Sequence, residues 1–412
     1  MRTARKTGVR SLPTFEALRH REFRLLWLAL LASAVGTWMQ IVSLSLLVLR
    51  ITHGSALALG AVSLAQAAAF FLFAFVGGGF ADRFDKRRLL LVTQSLLALT
   101  AAALGTLTLT GHATLGAILA LAFVSSAILS FDQPARSALV PLLVPREALT
   151  NAVALQSVAF SAASAVGPAI AGFLVGALGI AGNFYLNAAS FAGMLLVLYV
   201  LRLPERARVR APGRPLWASL QEALGVVRRD PALPWVIAGY GVLLFCGPSA
   251  SLILPIYGQQ VLKLQGGGLG WLFSALGLGT ITGGLIVASL RGARHRGRVL
   301  LAAMALWVGA LVAFGFARSL WPAMLALCVY GVALNGTQSS AIALMQGRVE
   351  DQLRGRIMSV NTLLMMGVRP LGDFPAGALV GVIGAPGVVW LGAAIVAVCG
   401  LFLGTRRALR EV

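Results

Sequence analysis

The stretch Gly172-Phe173-Leu174-Val175-Gly176-Ala177-Leu178-Gly179-Ile180-Ala181-Gly182 recurs 205 positions later as Gly377-Ala378-Leu379-Val380-Gly381-Val382-Ile383-Gly384-Ala385-Pro386-Gly387, with all four glycines in register. The same shift carries Gly167 onto Gly372 and Gly78-Gly79 onto Gly283-Gly284. One offset that explains three separated sites reads as an internal duplication. The chain has 412 residues, of which 58% are hydrophobic and 11% charged; soluble domains carry about 25% charged residues. Since a membrane-crossing helix takes roughly 20 apolar residues, this length holds about twelve such helices with short connections and no sizeable aqueous domain.

Apolar runs between polar breaks give spans near 25–49, 56–80, 89–110, 114–132, 150–178, 183–201, 232–262, 268–290, 299–317, 320–346, 357–382 and 386–404. The first run is too long for the apolar segment of a secretory signal and reads as an uncleaved span. The fold class is therefore an all-α membrane protein of twelve helices in two pseudo-symmetric halves. These are an N-terminal half over 1–203, a loop over 204–231 and a C-terminal half over 232–412. Parallel six-helix repeats are the architecture of carriers that expose a central site to each side of the membrane in turn.

The net charge is +21, from 34 Lys+Arg against 13 Asp+Glu. A balance this basic suits nucleic acid, but the cations sit in short clusters between apolar runs, which is the pattern of cytoplasmic loops. With the N-terminus inside, thirty Lys and Arg fall on inner segments and three (Arg50, Lys263 and Arg318) on outer loops. Both termini are thus expected in the cytoplasm, with the loop carrying Arg206, Arg208, Arg210, Arg214, Arg228 and Arg229 on the same side, in a multi-pass protein of the cell (inner) membrane. Cys246, Cys328 and Cys399 lie inside apolar runs without metal or disulfide spacing, and the four histidines are scattered. No metal, no cofactor and no nucleic-acid partner is expected. No phosphate-cradling glycine loop supports drive by ATP, and no nucleophile–base pair supports an enzyme.

Between the second and third spans stands Gly78-Gly79-Phe80-Ala81-Asp82-Arg83-Phe84-Asp85-Lys86-Arg87-Arg88. It resembles the signature loop of the major facilitator superfamily, G-x-x-x-D-R-x-G-[RK]-[RK]. Gly78, Asp82, Arg83, Lys86 and Arg87 match, and Asp85 replaces the pattern's last glycine. The resemblance implies a cytoplasmic gate, with Asp132 at the end of the fourth span closing a charge network with Asp82 and Lys86 or Arg87. The second-half copy, Gly283-Gly284 followed by Arg291, Arg294, Arg296 and Arg298, has Val287 at the acidic position, so the first half is expected to hold the stronger clasp. In the fifth span, Gly167, Pro168 and Gly172 resemble the glycine-proline motif of proton-coupled exporters, and small residues there also suit close helix packing. Phe131–Pro141, Leu149–Leu155 and Asn183–Phe191 resemble the enterobactin-exporter branch. Many members of that branch carry an arginine where Ser164 stands; at the repeat offset, Ser164 falls on Arg369.

Ionisable groups inside a span are costly and mark function. Arg369 and Asp373 lie four residues apart in the eleventh span, hence on one helix face. Two roles are open to them: a pair switched by protonation or by a charged substrate, or a static pair that stabilises packing. Pro370 and Pro375 are expected to break the helix locally. A proton-coupling acid must be Asp373 or Asp132, unless one reaches in from a loop. The resemblance places the cavity between spans one, four, seven and ten. Ser33, Thr37 and Gln40 share a face of the first span with Gly36, and Asn335 and Gln338 share a face of the tenth; Gln66 and Tyr257 are weaker choices. Hydrogen bonding between helices is an equally open role for these groups.

Taken together, the reading is a secondary carrier acting as a monomer on a small-molecule solute and protons in a lipid bilayer, most consistent with efflux of small hydrophobic or amphipathic compounds such as drugs, metabolites or siderophores. The alternative is an uptake carrier or lipid flippase of the same fold.

Overall fold

The computed structural model describes residues 13–201, 225–247, 249–264, 268–289, 296–350 and 353–410. Helices account for nearly all of these, and no strand forms among the described residues. A short 3₁₀ helix, Pro13–Arg19, leads into α1 (Arg21–Ile51), α2 (Ala56–Arg83), α3 (Lys86–Leu109), α4 (Leu115–Leu139) and α5 (Leu149–Val200). The second half comprises α6 (Leu233–Cys246), α7 (Ala250–Gln260), α8 (Gly268–Ser289), α9 (Arg296–Phe316), α10 (Leu320–Gly347), α11 (Arg354–Leu363), α12 (Arg369–Gly404) and α13 (Arg407–Arg410). Helices dominate because hydrocarbon offers no partner for backbone N–H and C=O groups.

Among the described residues, ten stretches are long and apolar enough to cross a membrane, and two of them, of 55 and 45 residues, are too long for one crossing. The 52 residues of α5 would extend roughly 78 Å at about 1.5 Å per residue, more than twice the hydrocarbon core. Both long elements fold back at a glycine. Gly179 has φ +69 and ψ 178, and Gly384 has φ +73 and ψ 166. That backbone region is open essentially only to glycine. These are equivalent residues of the repeated stretch, so the duplication appears in three dimensions as two matching hairpins. Counting each hairpin as two legs makes the ten stretches consistent with the twelve spans expected from the sequence.

Span seven consists of two pieces, α6 and α7, separated at Gly247 and Ser249, where an uninterrupted span was expected. Ser249 restarts the helix by accepting a hydrogen bond from Leu252 N–H at 3.2 Å, as N-cap serines do. Span eleven is also distorted, though not as the prolines suggested. A π-turn over Leu364–Val368 lies within a continuous helical stretch immediately before Pro370, and the helix runs on through Pro375, so the span is deformed there and not broken.

Large apolar side chains such as Leu72, Leu99, Leu196, Leu285, Leu325, Val382, Val398 and Leu401 are exposed around the outside of the bundle. This belt suits lipid, while the buried core joins Val42 and Val48 of α1 to Ile256 of α7 and Leu272 of α8 in one cluster across the two halves.

Candidate transport site and its gates

The halves meet through backbone close approaches built on glycine. A methyl placed on Gly172 of α5 would overlap the Cα and amide of Gly270 in α8; one placed on Gly377 of α12 would overlap the carbonyl of Ala56 in α2. The two contacts use equivalent residues of the repeat on opposite sides of the seam. Gly60 of α2 adds to the second, since a methyl there would stand 2.8 Å from Phe374 Cα and 2.9 Å from Asp373 O. Gly277 does the same for α8 against α5, 2.6 Å from Ala165 O. Gly167 and its repeat-mate Gly372 instead close each half internally, against Val35 and Trp38 of α1 and against Phe245 of α6. Polar contacts join spans one and seven: Ser45 Oγ donates to Ser251 O at 2.9 Å, and Gln260 Nε2 to Gly54 O at 3.2 Å. These contacts run from the middle of the bundle toward the end remote from the described ends of the chain, where Leu46, Arg50, Gly172, Gly176, Gln259 and Leu269 line a cavity of about 330 Å³ between the halves.

Asp373 lies in this seam and is 4% exposed. Its Oδ1 accepts from Ser249 N–H at 3.1 Å, at the positive end of α7. The hydroxyls of Ser249 and, from α2 of the other half, Ser63 also face it. The expected contact between Arg369 and Asp373 does not form: the two are absent from the ion pairs within 4.0 Å among the described residues. Arg369 acts on Asp373 through space, as it does on Tyr240 and Tyr330. The carboxylate is engaged instead by the amide end of the broken seventh span. The sequence held a signal for this partner, a Gly247-Pro248-Ser249 breaker run within an apolar stretch.

Asp132 is 1% exposed. It accepts from Thr93 Oγ1 at 2.8 Å, Gln94 Nε2 at 2.7 Å, and Arg136 through Nε at 3.0 Å and Nη2 at 2.6 Å. The expected network with Lys86 or Arg87 is therefore not the one observed. Asp132 ties α4 to α3, and Arg136, one turn on, supplies the balancing charge. Arg87 donates instead to the Tyr199 carbonyl near the end of α5. Asp85, in the place of the pattern's glycine, caps α3 by accepting from Arg88 N–H at 2.8 Å. Gly78, Asp82 and Arg83 fall on the last turns of α2, and their side-chain surroundings lie outside the described residues, as do Arg291 and Arg294. At the same end of the second half, Asp230 binds Arg348 Nε at 2.7 Å and accepts from the amides of Ala232 and Leu233. Burial alone would raise the Asp230 carboxyl, but these amides and the guanidinium hold it below its ordinary value.

The polar face of the first span points at span six, not at a cavity. Ser33 is buried, Gln40 Oε1 accepts from Asn187 Nδ2 at 2.7 Å, and Gly36 lies against Asn187 and Ser190. Ser43, next on the same face, receives Asn183 Nδ2 at 2.9 Å. Thr37 is half-buried and donates to Ser33 O at 2.9 Å. Asn335 is held by Ser339 Oγ at 2.9 Å and faces Gly284 of α8, whereas Gln338 is half-buried with no hydrogen bond among the described residues. Tyr257 is fully buried, and its hydroxyl donates toward the carbonyls that end span nine. Gln66 uses its backbone carbonyl, which accepts from Ser126 Oγ at 2.7 Å.

A sequence model described as transmembrane secretion effector matches residues 12–412. The multidrug efflux pump Tap of Mycolicibacterium fortuitum is 26% identical over 370 residues, covering 86% of this chain and 88% of Tap. The enterobactin exporter EntS of Shigella boydii serotype 4 is 28% identical over 374 residues, covering 89% of this chain and 86% of EntS. Among solved structures, the nucleoside transporter NupG superposes with a TM-score of 0.75 at 14% identity, over 93% of this chain and 98% of that one.

Proposed function

We propose an export reaction for this chain, which belongs to the transmembrane secretion effector family of the major facilitator superfamily. Members of that superfamily are transporters, not enzymes, and the reaction is alternating access between the two halves. The solute is a small hydrophobic or amphipathic compound, and protons moving inward drive it out. The relatives support the direction, since one is named a drug efflux pump and another a siderophore exporter.

The observation that carries proton coupling is the placement of Asp373. The carboxylate is buried at the seam, accepts from Ser249 N–H of its own half and lies on the side of α12 packed against Gly60 and Ser63 of the other half, so its charge state bears on whether the seam holds. Asp132, the other carboxylate buried among the described residues, is saturated by four donor contacts within one half and is better suited to a fixed anion. In the proposed cycle the seam opens outward, Asp373 takes a proton as solute leaves, the seam closes, and the proton leaves inward as the next solute binds. Arg369, near Tyr240 and Tyr330, supplies a positive field that favours the proton's departure. The motif around Gly78, Asp82, Arg83, Lys86 and Arg87 acts as the inner gate, and Thr37, Gln338 and Arg369 are the polar groups left for solute. The test is export from cells lacking their own pumps, screened with a dye and drug panel. Expression should lower accumulation of apolar cations or siderophore-like solutes, and this should vanish with an uncoupler. Accumulation that rises with expression would favour uptake.

A further inference from the structure

At the end of span twelve, Trp235 of α6 and Phe402 of α12 meet edge to face, ring centroids 5.8 Å apart at 68°. Arg406 sits in the corner they form, its Cζ 4.5 Å from the Trp235 centroid and 4.3 Å from that of Phe402. Cation–ring attraction fixes the guanidinium there. Its Nε is buried without a hydrogen-bond partner, and no acid among the described residues pairs with it. The acid nearest Trp235 in sequence, Asp230, is already taken by Arg348. The close approach of Gly297 to the Leu409 backbone brings exposed Arg296 and Arg298 to the same rim as exposed Arg407. Immediately beneath, Ile395, Val398, Leu401 and Phe402 are exposed on α12.

We propose that this corner binds an anionic phospholipid of the leaflet at the end of the bundle where α12 terminates, with the phosphate on Arg406 and the acyl chains along Ile395, Val398 and Leu401. A pre-positioned guanidinium with no internal counter-charge, flanked by further arginines, is complementary to a phosphate monoanion. The apolar strip under it selects a lipid over a free phosphate, and aromatic side chains suit the headgroup level. The site lies outside the seam and is independent of which solute is carried.

The experiment is native mass spectrometry of the full-length protein titrated with phosphatidylglycerol or phosphatidylcholine, for wild type, Arg406→Gln and an Arg318→Gln control remote from the site. Wild type and the control should retain one phosphatidylglycerol in preference to phosphatidylcholine. Arg406→Gln should lose roughly five-fold of that preference, the scale of one arginine at a membrane surface. Equal retention by a folded Arg406→Gln would overturn the proposal, and so would release of the lipid by millimolar inorganic phosphate. Should Arg406→Gln fail to fold, quenching by ring-adjacent brominated lipid decides. Brominated phosphatidylglycerol should quench wild type more than Trp235→Phe, and by more than brominated phosphatidylcholine does; no difference between the two lipids would refute the site.

Discussion

A methyl added at Gly172 tests whether the glycine seam is a gate. The methyl would overlap the Cα and amide of Gly270, while one at Gly176, a turn further along the same helix, meets nothing within 4 Å. The repeat supplies the same experiment twice, since Gly377 would strike Ala56 O and Gly381 meets nothing. The obstacle is backbone, which cannot rotate away, so overpacking costs about 1–3 kcal/mol. That cost is borne only while the seam is shut. Gly172→Ala should therefore shift the balance toward the seam-open state by roughly 5- to 150-fold, with tenfold for every 1.4 kcal/mol. The readout is labelling of Ser45→Cys, a seam residue 6% exposed, by a membrane-impermeant thiol reagent, with Cys246, Cys328 and Cys399 changed to alanine. Labelling should accelerate in Gly172→Ala and Gly377→Ala and stay at the parent rate in Gly176→Ala and Gly381→Ala. Unchanged labelling in both clash variants, or equal acceleration in the controls, would refute the gate.

Asp132→Asn leaves Arg136 without its counter-charge beside a buried site and should cost about 3–5 kcal/mol, read as a large fall in melting temperature that Asp132→Asn with Arg136→Gln partly reverses; an unchanged melting temperature in the single variant contradicts the fixed-anion role. The Asp230 carboxyl is held below its ordinary value, so its stabilisation is present above the usual carboxylate pKa near 3.9 and is lost as pH falls through the depressed folded value. Wild type should accordingly out-melt Arg348→Gln at neutral pH, with the gap closing in strong acid; a gap independent of pH removes the linkage. Asp82→Asn should slow transport while leaving expression and insertion normal, and full transport by that variant would disprove a gating role.

The repeat was legible because a positive-φ hairpin leaves glycine no substitute, and both copies kept it at Gly179 and Gly384. The same constraint made Gly172 and Gly377 visible, since backbone contact admits no side chain. Charge partners were less legible. Spacing alone put Arg369 and Asp373 on one face, but it could not show that a break in span seven would offer its Ser249 amide first. Ser33 and Gln40 looked like cavity residues because a polar face on a span has two outlets, a cavity or a neighbouring helix, and only the position of Asn187 chooses between them. Thr93 and Gln94 were missed for the same reason, as their polarity gains meaning only through Asp132 on another helix.

Whether Asp373 couples proton entry to solute exit is read directly by flux in proteoliposomes with and without an imposed proton gradient. Wild type should concentrate solute against its gradient only when protons run the other way. Asp373→Asn should lose this uphill movement and its pH dependence while retaining downhill exchange. If Asp373→Asn still concentrates solute with the normal pH dependence, Asp373 is not the coupling acid.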